Sequence, residues 1–238
     1  MEGNQHQHHH KHSHGTHVNG LNTSNNNEMV IDVSYEEGKV KLHLADVEGK
    51  PTILETTHEK TMHLIIVSND LEEFYHLHPE QINMHEFVAK VPLAKPSYTV
   101  FVDINPKGIA YTIQPHRLNL NSDLLSNKAM LNKESNWRKE VNGRIVELVS
   151  KSMVVNEPVT ISFQIENGTP QPYLGALGHV VIIDQEVEQF LHVHPISEKD
   201  TAFHTQFDKS GLYKLWVEFR FEGTVEAFPF VIEVPEHK

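Results

Sequence analysis

Two histidine trios at one spacing carry most of the chemistry this sequence offers. His63 precedes an H-x-H pair, His76 and His78, and His179 precedes a second, His192 and His194, each 116 positions after its counterpart. Neutral imidazole nitrogens are ligands for Zn²⁺, Cu²⁺ or Ni²⁺, and three of them leave a fourth position for water, a carboxylate or another histidine. His85 and His204, each near the start of the strand expected next, are candidates for that position, although they do not align in the repeat. A lone strand histidine is ordinarily half-exposed or hydrogen-bonded in a core. Three kept at one spacing in both copies, while Leu64 became Val180 and Leu77 became Val193, favour a metal site.

Side chains two apart on a strand share a face, so His76 and His78 point together, as do His192 and His194. If Met62–Ser68 and Phe74–His78 pair around Asn69–Glu73, an odd-sum register sets His63 opposite His76 or His78 on that same face. The spacing therefore predicts one convergent trio in each copy. Ile65 and Val67 share the His63 face while Leu64 and Ile66 make the other face apolar, so both faces of the hairpin are expected to be covered.

The histidines belong to a longer repeat. MHLIIVSNDLEEFYHLHPE from Met62 recurs as GHVVIIDQEVEQFLHVHPI from Gly178, and Tyr98–Asp103 matches Tyr213–Glu218 after a one-residue gap. Short segments rich in Val, Ile, Phe, Tyr and Thr alternate with turn residues and show no long helical period, which predicts two tandem immunoglobulin-like β-sandwich domains, an all-β fold made by internal duplication. Seven strands are expected per copy, closing with Ala110–Gln114 in the first and Ala227–Glu233 in the second. The domains are expected at 28–118 and 137–238, joined by an Asn/Ser-rich linker at 119–136.

Residues 1–27 are too polar to build a core and read as a disordered tail. That tail holds seven of the 19 histidines: His6, His8, His9, His10, His12, His14 and His17. Their spacing is broken by Gln, Lys, Ser and Gly, unlike an uninterrupted purification tag, and suits low-affinity metal capture.

Composition narrows the alternatives. With 20 Lys+Arg against 32 Asp+Glu the net charge is −12, the wrong field for a phosphate backbone, so nucleic acid is not an expected partner. Zero cysteines exclude thiolate metal sites, disulfides and a cysteine nucleophile. No apolar run approaches the roughly 18 residues of a membrane span, and the polar start carries no secretory signal, so a cytoplasmic location is expected unless a leader has been removed.

No catalytic residues are expected: there is no G-x-S-x-G elbow, phosphate-cradling glycine loop or H-E-x-x-H helix. A cupin-like, metal-dependent oxygenase is a distant alternative, since Glu198 follows His192 and His194, but the flanking glycines are missing and Ile82 stands where the first copy would need the acid. A second alternative is a structural or protein-interaction sandwich whose histidines only order a hairpin.

The strings TMHLIIVSNDLEEFYHLHPE and YLGALGHVVIIDQEVEQFLHVHP resemble a recurring bacterial immunoglobulin-like module with a GHxVI…LHVHP pattern. That module occurs singly or in pairs in largely uncharacterised, often exported proteins associated with copper and heavy-metal resistance. The resemblance implies a β-sandwich and a metal-handling role with no established reaction, and taken with the imidazole trios it leads to the expectation of a non-enzymatic protein that binds a divalent metal ion, copper or zinc. With a metal-binding role, a metal transporter or chaperone is the protein partner to expect.

Overall fold

The computed structural model describes residues 27–121, 129–150, 153–193 and 195–236. The tail histidines and His194 therefore lie outside the described residues. Among the described residues every element is a strand, and the strands form two β-sandwiches.

In the first sandwich, Met29–Glu36 (β1), Lys39–Asp46 (β2), Leu54–Glu55 (β3), Met62–Ser68 (β4), Phe74–Leu77 (β5), Glu80–Gln81 (β6), Glu86–Lys90 (β7), Ser97–Pro106 (β8) and Pro115–Asn119 (β9) make two sheets. One runs β1-β2-β7-β6; the other runs β3-β8-β4-β5, with β9 also on β8. The second sandwich comprises Arg138–Val141 (β10), Arg144–Ser150 (β11), Pro158–Glu166 (β12), Gly178–Asp184 (β13), Phe190–Val193 (β14), Ala202–Gln206 (β15), Gly211–Phe221 (β16) and Thr224–Val234 (β17). Its sheets run β10-β11-β12-β15 and β14-β13-β16-β17.

Alternation along the strands explains both cores. Leu64, Ile66, Val100 and Val102 point into the first sandwich against Leu42 and Phe87. Val180, Ile182, Leu215, Val217 and Phe219 point into the second against Phe163, Phe203 and Phe230. The opposite faces of the same strands meet each other: Ile65, Val67 and Phe101 pack against Val181, Ile183, Phe190 and Trp216. Phe101 stacks on Phe190 at 5.0 Å, and Phe74 on Trp216 at 4.7 Å. Every residue of β4 is consequently buried, because one face lies in its own core and the other is roofed by the second sandwich.

One expected strand is corrected. Ala110–Gln114 is not a strand, and the segment paired to β8 is Pro115–Asn119, in register Phe101↔Pro115 to Ser97↔Asn119. The alternation that suggested a strand serves a crossing segment instead: Ile109 and Tyr111 pack on the first core, whereas Ile113 reaches the interface. The Tyr111 hydroxyl donates to the Val102 carbonyl at 2.6 Å, and the Glu28 N–H donates to the Ala110 carbonyl at 3.0 Å. The short strands β3, β6 and β10 carry no period long enough to read. Of the expected linker, residues 122–128 lie outside the described residues, while Ala129 is buried in the interface and the Leu131 N–H donates to Gln185 at 3.1 Å.

Candidate metal centre

The hairpin register converges the first trio. Leu64 pairs with Leu77 and Ile65 with His76, so His63, Ile65, His76 and the position after Leu77, His78, share one face. His63 Nδ1 lies 3.0 Å from His76 Nε2 and 3.2 Å from His78 Nε2. One ring nitrogen from each of the three lies within 4.8 Å of the others, a group that could hold a metal ion.

The remaining nitrogens of His63 and His76 have fixed partners, which assign the tautomers. His63 Nε2–H donates to the Thr57 carbonyl at 3.0 Å. Thr57 and Lys60 bracket a tight turn whose central residues, His58 and Glu59, both have positive φ, 51° and 64°, as a type I′ turn requires. The second copy repeats the device: Tyr173 and Ala176 bracket Leu174 and Gly175 at φ 53° and 75°, and His179 Nε2–H donates to the Tyr173 carbonyl at 2.9 Å.

The partner of His76 comes from the other sandwich. Its Nδ1–H donates to Glu218 Oε2 on β16 at 2.5 Å, and reciprocally His192 Nδ1–H donates to Asp103 Oδ2 on β8 at 2.6 Å. Asp103 and Glu218 are equivalent positions, each directly across from the histidine of its own sheet, His63 and His179. The two carboxylates therefore cross over, each completing the other copy's histidine.

Burial dominates the electrostatics. Removal from water pushes His63 and His78 down to about 3, helped by the charge that His76 would carry. Burial also lowers His179, and lowers His192 well below the ordinary range. Neutral imidazole is the protonation state a metal needs.

The sequence placed one trio in each copy; packing brings His179 and His192 of the second beside the first. The His63 and His192 rings are 5.1 Å apart, and His179 stands 6.2 Å from both His76 and His192. His85 stacks on His43 at 5.2 Å and lies 3.0 Å from the Leu44 carbonyl, on the far sheet of the first sandwich. His204 is exposed on β15, 2.9 Å from the Thr160 hydroxyl. Neither belongs to the convergent group. Sequence reasoning overlooked Asp103, Glu218 and His58. The acids were visible as aligned positions interrupting the apolar alternation of a strand; His58, 6.3 Å from His63, aligns with Leu174 and left no signal.

Gly178 has a specific packing role. A Cβ there would lie 2.6 Å from the Phe219 ring and 2.9 Å from the Glu218 carbonyl, so only glycine lets β16 carry Phe219 beneath β13. In the first copy Met62 occupies that place opposite Ile104.

Residues 16–119 and 139–236 each match the model of one family, described as Domain of unknown function (DUF8832). No curated protein matches the chain significantly. Among solved structures, the chain is similar to the FN1-FN3 domains of chicken CNTN1, at 8% identity, covering 85% of this chain and 66% of that one with a TM-score of 0.25. A two fibronectin type-III domain segment from chicken tenascin matches at 10% identity, over 86% of this chain and 98% of that one, TM-score 0.26. Dimeric latent PorU from Porphyromonas gingivalis matches at 11% identity, over 90% of this chain and 21% of that one, TM-score 0.27. Among the described residues no helix is long and apolar enough to cross a membrane.

Proposed function

The chain belongs to the DUF8832 family, carrying its domain twice, and from that premise we propose that it binds a divalent transition metal ion, copper or zinc, through His63, His76 and His78, without catalysing a reaction. One observation carries this reading: His63 Nδ1 and His76 Nε2 face each other at 3.0 Å although each ring's N–H is committed elsewhere, to Thr57 and to Glu218. Two lone pairs that close repel unless a cation sits between them. Nitrogens around a tetrahedral ion at 2.0–2.1 Å lie about 3.3 Å apart, so small displacements from 3.0 and 3.2 Å accommodate the ion.

A buried, oriented imidazole set suits tight retention, and the histidine-rich tail suits low-affinity capture of the ion. Metal handling or resistance is the role this pairing serves, with a transporter or metal chaperone as the protein that gives or receives the ion.

Calorimetric titration with Cu²⁺ and Zn²⁺ tests the reading in a full-length background whose seven tail histidines are replaced by serine. Tight uptake that His76→Ala abolishes is expected; equal uptake by the variant excludes the site. Melting separates metal binding from a purely structural histidine set. A ligand specific for the folded state stabilises it by about 2.7 kcal/mol at a hundredfold excess over Kd, whereas histidines that only order the hairpin produce no shift.

A further inference from the structure

We infer that the metal centre is shared between the two sandwiches, with His192 Nε2 of the second as a fourth ligand beside His63 Nδ1, His76 Nε2 and His78 Nε2 of the first, so that one ion clasps the two sandwiches together. The inference rests on the metal reading above and specifies its coordination and stoichiometry.

Ring spacing distinguishes the inner set. Around a tetrahedral ion with nitrogens at 2.0–2.1 Å, imidazole ring centres lie about 5.2 Å apart. Within the first sandwich the spacings are 5.2 Å for His63–His76, 4.9 Å for His63–His78 and 5.0 Å for His76–His78. His192 lies 5.1 Å from His63 and 5.6 Å from His76, the spacing of two rings on one ion. The other neighbouring rings stand farther out: His179 at 6.2 Å from His76, and His58 at 6.3 Å from His63 and 6.5 Å from His192.

The tautomer of His192 agrees. Its Nδ1–H is held by Asp103 at 2.6 Å, which makes Nε2 the nitrogen with a donor lone pair, as Glu218 does for His76. Each clamping carboxylate stands on the sandwich opposite its histidine, so rings and acids hold their geometry only while the interface is closed. The His192 side chain is 3% exposed and that of His76 is 1% exposed, so these two rings, one from each sandwich, are both shielded from bulk water.

X-ray absorption of zinc added below one equivalent, in the full-length background lacking tail histidines, counts the imidazoles directly. Four are expected in the wild type and three in His192→Gln, with total capacity of one ion per chain and affinity at least tenfold weaker in the variant. Zinc held by three imidazoles in the wild type overturns the shared centre while leaving the metal reading intact. So does a capacity of two ions of which His192→Gln removes one and leaves the other at full affinity. Absence of zinc binding by the wild type overturns both. The wild-type count requires no substitution within either sandwich, so a His192 variant that failed to fold would leave that test standing.

Discussion

His76 Nδ1 and Glu218 Oε2 lie 2.5 Å apart although 142 positions separate them in the chain. The pair couples the histidine-lined face of one sandwich to a carboxylate of the other. Such outer partners fix ring orientation and raise ligand basicity, and removing one typically costs 10–100-fold in affinity. Glu218→Ala is therefore expected to weaken zinc binding by about 10–100-fold, measured by competition with a chromophoric chelator; unchanged affinity would show that the contact does not position the ligand.

The metal-free chain should lose stability in acid. Folded His63 and His78 stay neutral until about 3, whereas the unfolded rings take up protons near the ordinary value of 6.5. Below that value the unfolded state binds more protons, so their contribution is fully present above pH 6.5 and lost as pH falls toward 3. Each such histidine adds a slope of at most about 1.4 kcal/mol per pH unit. Urea titrations of the metal-free protein between pH 7 and 4 should reveal this decline, and His78→Gln should flatten it.

Trp216 anchors the interface, stacked on Phe74 at 4.7 Å and 3% exposed. Trp216→Ala should cost about 3–5 kcal/mol of the stability that depends on the docked arrangement. Chemical denaturation followed by circular dichroism would detect it. A loss under 1 kcal/mol would mean that the sandwiches derive little from their contact.

Gly178→Ala is expected to destabilise the second sandwich by about 1–3 kcal/mol, because the added methyl meets a ring and a backbone carbonyl that cannot both yield. A thermal melt unchanged from the wild type would contradict the packing role assigned to it.

His85→Ala and His204→Ala should leave zinc affinity within about twofold of the wild type in the same calorimetric titration. One ring is occupied with His43 and the Leu44 carbonyl, the other with the Thr160 hydroxyl, and both lie apart from the convergent nitrogens. A tenfold loss from either would enlarge the site.

Self-similarity of two strings sufficed for the duplication, and strand periodicity for the all-β class and the common face of His63, His76 and His78, because face-sharing along a strand and across a hairpin is local geometry. It also indicated that both faces of β4 are covered, since Leu64 and Ile66 alternate with Ile65 and Val67. What covers the second face was not legible. Ile65, Val181, Phe190 and Trp216 form one cluster only because the outer faces of two sheets, more than a hundred positions apart, are complementary as surfaces. Asp103 and Glu218 read as ordinary acids in sequence, and only the docking of those sheets turns them into partners of His192 and His76. A pattern in the chain specifies which side chains share a face; which faces meet is decided by the fit of whole surfaces, which no spacing encodes.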